Sequence, residues 1–178
     1  MWYKLNSKPK SPIIIEGFPG FGLVGTIATE FLIKHLDAKQ IGLIRMEEVP
    51  PVIAVHKGKP VEPLGIFYAK KNNIVILHAL TSVQGYEWQI SDMLAKISKE
   101  LKAKEIISLE GVGSEGTPGK KEPVAFYMTH SNKFKVKGVD ELQEGIIMGV
   151  TGALLLRKDV KITSIFAETF SSLPDSRA

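Results

Sequence analysis

The stretch Ser11-Pro12-Ile13-Ile14-Ile15-Glu16-Gly17-Phe18-Pro19-Gly20-Phe21-Gly22-Leu23-Val24-Gly25 decides the fold class. Its isoleucine run is short, continuous and β-branched, without the polar alternation of a half-exposed strand. Such a run reads as a strand covered on both faces, as the strands of parallel sheets are. A glycine-rich turn follows, and across residues 26–36 the sets Ile27/Phe31 and Ala28/Leu32/His35 recur at helical spacing. Strand, glycine turn and helix make the opening half of a βαβ unit.

Working outward, residues 40–46 read as a strand. Residues 52–56 and 64–69 read as two strands of a hairpin around the Lys57-Gly58-Lys59-Pro60 turn. Beyond Asn72-Asn73, residues 74–78 form another buried strand. Ile90, Met93, Leu94, Ile97 and Leu101 then mark one face of an amphipathic helix. Residues 106–109 and 162–167 read as further central strands, 124–129 as a strand, and 145–157 as a buried helix. Residues 111–123 hold four glycines and two prolines and read as a long loop. The expected class is α/β, a mixed sheet flanked by helices with an inserted hairpin, in a single domain over residues 1–178. Leu173-Pro174-Asp175 resembles a helix start, so a C-terminal helical extension is expected to be lacking from this sequence.

The 178 residues are 44% hydrophobic and 24% charged, with net charge +4, ordinary values for a globular protein. Without cysteine there are no disulfides and no thiolate zinc sites, and a cytoplasmic setting is expected. No apolar run approaches the roughly 20 residues of a spanning helix, so no membrane partner is expected. The positive charge is almost all lysine, scattered among turn residues, and Arg45, Arg157 and Arg177 are the only arginines. That pattern fits solvated turns rather than the concentrated basic stripe of a nucleic-acid reader.

Two patterns bear on chemistry. Gly20-x-Gly22-x-x-Gly25 matches a dinucleotide fingerprint between strand and helix, with Glu47 after the next strand as a possible ribose ligand. Against it, Glu16-Gly17-Phe18-Pro19 separates the strand from the motif, and the hairpin interrupts the run of βαβ units. The glycines Gly17, Gly20, Gly22 and Gly25 then serve either a tight turn and close packing or anion binding. The second pattern is polar residues at strand ends: Glu16, His78 with Thr81 just beyond, Glu110 and Glu168. If those strands are parallel, the groups gather at the carboxyl edge, where open α/β sheets bind ligands. There they could do acid–base work, hold a cation or simply meet solvent. No nucleophile elbow accompanies them, so no catalytic residue, metal ligand or cofactor is assigned. His35, His56 and His130 stand alone in unrelated segments. Gly145-x-x-x-Gly149-x-x-Gly152 reads as close packing of a helix on the sheet.

The segment from Glu16 to Gly25 resembles the opening signature of the proteasome assembly chaperone 2 family, in its archaeal and bacterial branch. Gly145-Ile-Ile-Met-Gly-Val-Thr-Gly-Ala-Leu-Leu155, Ala167-Glu-Thr169 and Pro174-Asp175 resemble that family's later blocks in the expected order. The resemblance implies a three-layer α/β/α fold like that of nucleoside phosphorylases and certain peptidases. It also implies a noncatalytic chaperone that forms homo-oligomers and binds proteasome α-subunits. Some members end in a hydrophobic-tyrosine-any-residue tail that docks in proteasome pockets, which Ser176-Arg177-Ala178 does not match. A small-molecule enzyme using the strand-end rim and a dinucleotide-binding protein are the alternatives.

Overall fold

The isoleucine run forms the second strand of a nine-stranded sheet in the computed structural model, which describes residues 1–49, 51–56, 58–113, 124–130 and 137–169. In chain order the strands are β1 (Trp2–Leu5), β2 (Ile13–Gly17), β3 (Lys39–Arg45), β4 (Ala54–His56), β5 (Lys59–Val61) and β6 (Leu64–Ala69). They continue as β7 (Ile74–Ala79), β8 (Glu105–Gly113), β9 (Ala125–Thr129), β10 (Asp140–Glu141) and β11 (Ile162–Thr169). The helices are α1 (Val24–His35), α2 (Glu87–Leu101) and α3 (Gly149–Leu155), and a 3-10 turn over Phe21–Leu23 leads into α1.

The sheet runs β1-β3-β6-β7-β2-β8-β11-β9-β10. Its centre, β7, β2, β8 and β11, is wholly parallel. Antiparallel neighbours flank it, β6 on one side and β9 on the other. Because side chains alternate across a strand, register assigns each residue to a face. Ile14, Val75 and Ile106 share one face and pack with Ile90, Leu94 and Ile97 of α2 and Val150 and Leu154 of α3. Ile74 and Ile76 point to the other face and meet Leu32, Ile33 and Leu36 around α1. The result is an α/β/α sandwich. No helix among the described residues is long and apolar enough to cross a membrane.

Four expectations change. The hairpin joins β4 to β5, not residues 52–56 to 64–69: His56 pairs with Lys59 across a two-residue turn whose Gly58 has φ +73°. The 64–69 run is instead β6, hydrogen-bonded between β3 and β7, with Ile66 fully buried and Phe67 packed towards α1. The late helix starts at Gly149, since Met148 is extended and Gly149 has φ +72°, which leaves Ile146 and Met148 exposed. Of its three glycines Gly145 lies before the helix, Gly149 opens it and Gly152 lies inside it, where the close neighbour is the Ile147 carbonyl, not the sheet. Finally, β8 runs on to Gly113, into the expected loop. The remainder of that loop and the helix start at 173–175 lie outside the described residues.

Candidate functional site

Because β2, β8 and β11 are parallel, their polar residues form a staircase on one face. Glu16 lies opposite Ser108, and Ser108 opposite Ser164. Two residues further along β8 stands Glu110, and Glu168 lies beyond it on β11. The lower step is sealed: Glu16 is 1% exposed and both serines are fully buried. Helix α3 covers it with Thr151, whose hydroxyl lies 2.8 Å from Ser108 Oγ and donates to Glu110 Oε2 at 3.2 Å. The Gly111 N–H donates to Glu110 Oε1 at 3.1 Å. Glu16 Oε1 and Ser164 Oγ find no hydrogen-bond partner.

Burial sets the protonation of both acids, because a charge loses its hydration there. Glu16 is pushed up to about 8, only partly opposed by the Ser108 hydroxyl and reinforced by the Glu110 charge. Glu110 is pushed up to about 7 by burial, against the Gly111 N–H and the Thr151 hydroxyl, which favour its anion. At neutral pH, Glu16 is thus a neutral acid at the foot of the staircase, and Glu110 titrates above it.

Glu110 and Glu168 open into a cleft of about 1030 Å³ at the carboxyl edge of the sheet. Among the described residues six carboxylates line it, Glu87, Glu110, Asp140, Glu141, Glu144 and Glu168, and no lysine or arginine does. Apolar groups fill in between, among them Phe18, Phe126 and the exposed Phe21, Ile146 and Met148.

The other expected rim residues lie elsewhere. His78 pairs with Gly17, one position off the Glu16 row, so its ring faces the α1 side. It is buried there, with Nδ1 2.9 Å from Thr29 Oγ1 and its ring edge-on to Phe67, and burial lowers its pKa. Thr81 borders a separate cleft of about 500 Å³ with Arg45, Glu47 and Glu62. His35 stacks on Phe31, and His130 Nε2 lies 2.6 Å from the Leu155 carbonyl oxygen. The side chain of His56 lies outside the described residues. Among the described residues no three His, Asp or Glu are grouped closely enough to hold a metal ion.

The glycine turn is the contact between α1 and the sheet. A Cβ on Gly17 would stand 2.2 Å from the Gly25 carbonyl oxygen, and one on Gly25 would stand 2.4 Å from that of Leu109. Gly22 has φ +61° and lies against Thr169, and a Cβ on Gly20 would strike the Glu110 carboxylate. That carboxylate would repel a pyrophosphate brought to the turn. Glu47 follows β3, which is separated from β2 by β6 and β7, about 14 Å at usual strand spacing. Both observations run against the dinucleotide arrangement.

Sequence reasoning missed the acids that come from outside the central strands, Glu87, Asp140, Glu141 and Glu144. The run Asp140-Glu141-Leu142-Gln143-Glu144 was the available signal. It also missed Ser108, Ser164 and Thr151, for which a hydroxyl within an apolar segment was the only mark.

Residues 14–178 match the model of the PAC2 family. An uncharacterised protein of Methanocaldococcus jannaschii is 29% identical over 174 residues, covering 94% of this chain and 71% of that protein. The crystal structure of Pyrococcus furiosus PbaA, an archaeal homolog of proteasome-assembly chaperone, superposes with a TM-score of 0.84 at 31% identity. The match covers 98% of this chain and 76% of PbaA. Pyrococcus furiosus PbaB, an archaeal proteasome activator, has the same fold, with a TM-score of 0.82 at 22% identity over 99% of this chain and 83% of its own. The sequence match spans every element of the staircase and the cleft, and this chain belongs to the PAC2 family.

Proposed function

We propose that this protein is a noncatalytic, proteasome-assembly-chaperone-like protein of the cytoplasm, one domain that acts as a homo-oligomer and binds proteasome α-subunits or a related partner. The observation that carries this reading is the near full-length likeness to PbaA, an archaeal homolog of proteasome-assembly chaperone. No cofactor or nucleic acid takes part in it, and the glycine turn has a structural role. A pull-down with α-subunits of the same organism tests it. Recovery of the α-subunits is expected, and their absence from the eluate at micromolar concentrations would overturn the partner assignment.

Self-association draws support from the β4–β5 hairpin, which forms a small sheet of its own. Val55 in β4 is 70% exposed and Ile53, just before it, 65%. Covering such area stabilises association by about 25 cal/mol per Å². Light scattering should give a multiple of 19.6 kDa for the protein and a single 19.6 kDa chain for Ile53→Asp, with the melting temperature of the variant unchanged. A wild-type mass of one chain would remove the oligomer from this reading. Phe67→Asp, by contrast, is expected to unfold the sheet, because β6 is internal.

A small-molecule enzyme of phosphorylase or hydrolase type is the second reading. It is favoured by Glu110, a partly buried acid titrating near neutrality at the wall of a cleft. It predicts a hydrolytic or phosphorolytic activity that Glu110→Gln abolishes. Intact partner binding by that variant, with no activity lost, supports the chaperone.

A further inference from the structure

We propose that the acidic cleft is a docking groove for a polypeptide segment of a partner protein in which lysine or arginine is interspersed with apolar side chains. The proposal rests on the chaperone reading for the partner's being a protein, and it gives that partner a place to bind.

Charge is the first argument. The chain as a whole carries +4, yet among the described residues this cleft is lined by six carboxylates and by no lysine or arginine. Concave, low-dielectric walls of one sign focus the potential and attract the opposite charge. Anionic ligands such as phosphates, nucleotides or acidic peptides would be repelled by these carboxylates.

Shape and polarity narrow the class further. The carboxylates come from α2, β8, β11 and the 140–144 segment, and no three of them are grouped to hold a metal ion. The ligand therefore carries its positive charges spread out along its length. Between the acids, Ile146 is 90% exposed, Met148 63% and Phe21 46%. A polyamine would leave these side chains wet, whereas apolar side chains beside the cations would cover them. Covering them removes apolar area from water, which favours binding. The volume of about 1030 Å³ lies at the upper end of small-molecule sites, which run to roughly 1,000 Å³. Half-buried Glu87, Glu110 and Glu168 on the groove wall, with exposed acids and apolar groups interspersed along the 140–148 rim, suit a chain in which long basic side chains alternate with apolar ones.

The test is a binding assay on the full chain by fluorescence anisotropy at low salt, with three labelled peptides of equal length. One carries lysine and leucine, one glutamate and leucine, one lysine and serine. The lysine–leucine peptide should bind most tightly and weaken as salt rises through a few hundred millimolar. Glu141→Lys/Glu144→Lys, two exposed positions, should weaken it about tenfold or more. Ile146→Asp should cost a similar factor. Equal binding of the glutamate–leucine peptide, or indifference to these variants, overturns the proposal. Spermine competing as well as the lysine–leucine peptide, with no effect of Ile146→Asp, overturns it in favour of a polyamine site. Failure of the chaperone reading looks different. Peptide binding without α-subunit recovery keeps the groove and removes the proteasome partner. Recovery of α-subunits undiminished by Glu141→Lys/Glu144→Lys removes the groove and keeps the chaperone.

Discussion

Gly25→Ala is expected to destabilise the protein by more than about 3 kcal/mol, a fall of roughly 6–12 °C or more in melting temperature. The new methyl would stand 2.4 Å from the Leu109 carbonyl oxygen and 2.9 Å from the Gly17 Cα. Both neighbours are backbone, so no rotamer change relieves the clash. The first turn of α1 has to lift off β2 and β8 instead. Lifting it disturbs the Thr29–His78 hydrogen bond and the packing of Leu32 and Ile33 over Ile76. Gly17→Ala meets the same obstacle from the other side, 2.2 Å from the Gly25 carbonyl oxygen. Gly113→Ala is the control. A Cβ there touches nothing within 4 Å and φ is unremarkable, so its effect should stay within about 0.5 kcal/mol. A Gly25→Ala melting temperature within about 2 °C of wild type would show that the turn is not a packing contact. Millimolar NAD(P) or ATP should shift the wild-type melt little; a rise of several degrees would restore the dinucleotide reading.

Which features were legible follows from the range of the interactions that set them. The buried run at 13–15 and the α2 stripe of Ile90, Met93, Leu94, Ile97 and Leu101 are written in local periodicity, and both elements formed. Strand pairing is not local. Residues 64–69 and 59–61 both follow the turn at 57–58, and the longer apolar run drew the hairpin assignment. Yet Lys59-Pro60-Val61, with no strand signal of its own, is the one that pairs. The short outer strands β1 and β10 likewise exist only through their neighbours. The late helix failed on one dihedral, since its apolar pattern continues back to Ile146 while the positive φ of Gly149 starts a new direction.

The rim shows the same division. That Glu16, Glu110, Glu168 and His78 stand towards the carboxyl ends of their strands was readable, because each follows a short, mostly apolar run. Their faces were not, because a single step of register exchanges the two sides of a sheet. His78 pairs with Gly17 and Glu16 with Leu77, and that offset sends the imidazole under α1 while the carboxylates face α3. Burial depth was equally hidden. Only the arrival of Thr151 from a distant helix separates the sealed Glu16 from Glu110, which borders the cleft.

Glu16→Gln should stabilise the protein increasingly as pH rises, by an amount on the order of a few kcal/mol near pH 8.5. The sign follows from the buried acid. Its folded pKa of about 8 stands above the ordinary 4.5, so between those values the folded state keeps a proton that the unfolded chain gives up. Its contribution to stability therefore falls as pH climbs from about 4.5 through about 8 and levels off above. Glu110, raised to about 7, adds a slope of the same sign that ends earlier. Glutamine has nearly the same shape and no proton to lose, so it removes the larger slope. It also relieves Glu110 of a neighbouring negative charge at alkaline pH. The amide can meet Ser108 as the neutral acid does, and near pH 4.5 the two proteins should melt within a few degrees of each other. Ser108 has one proton to give. If it donates to Thr151, Glu16 can bond to Ser108 only by donating its own, which requires the acid form. Melting curves of both proteins from pH 4.5 to 9 decide the matter. A difference between variant and wild type that stays flat, or shrinks with rising pH, would mean that Glu16 is ionised in the folded protein. The foot of the staircase would then be a fixed charge rather than a neutral hydrogen-bonding group.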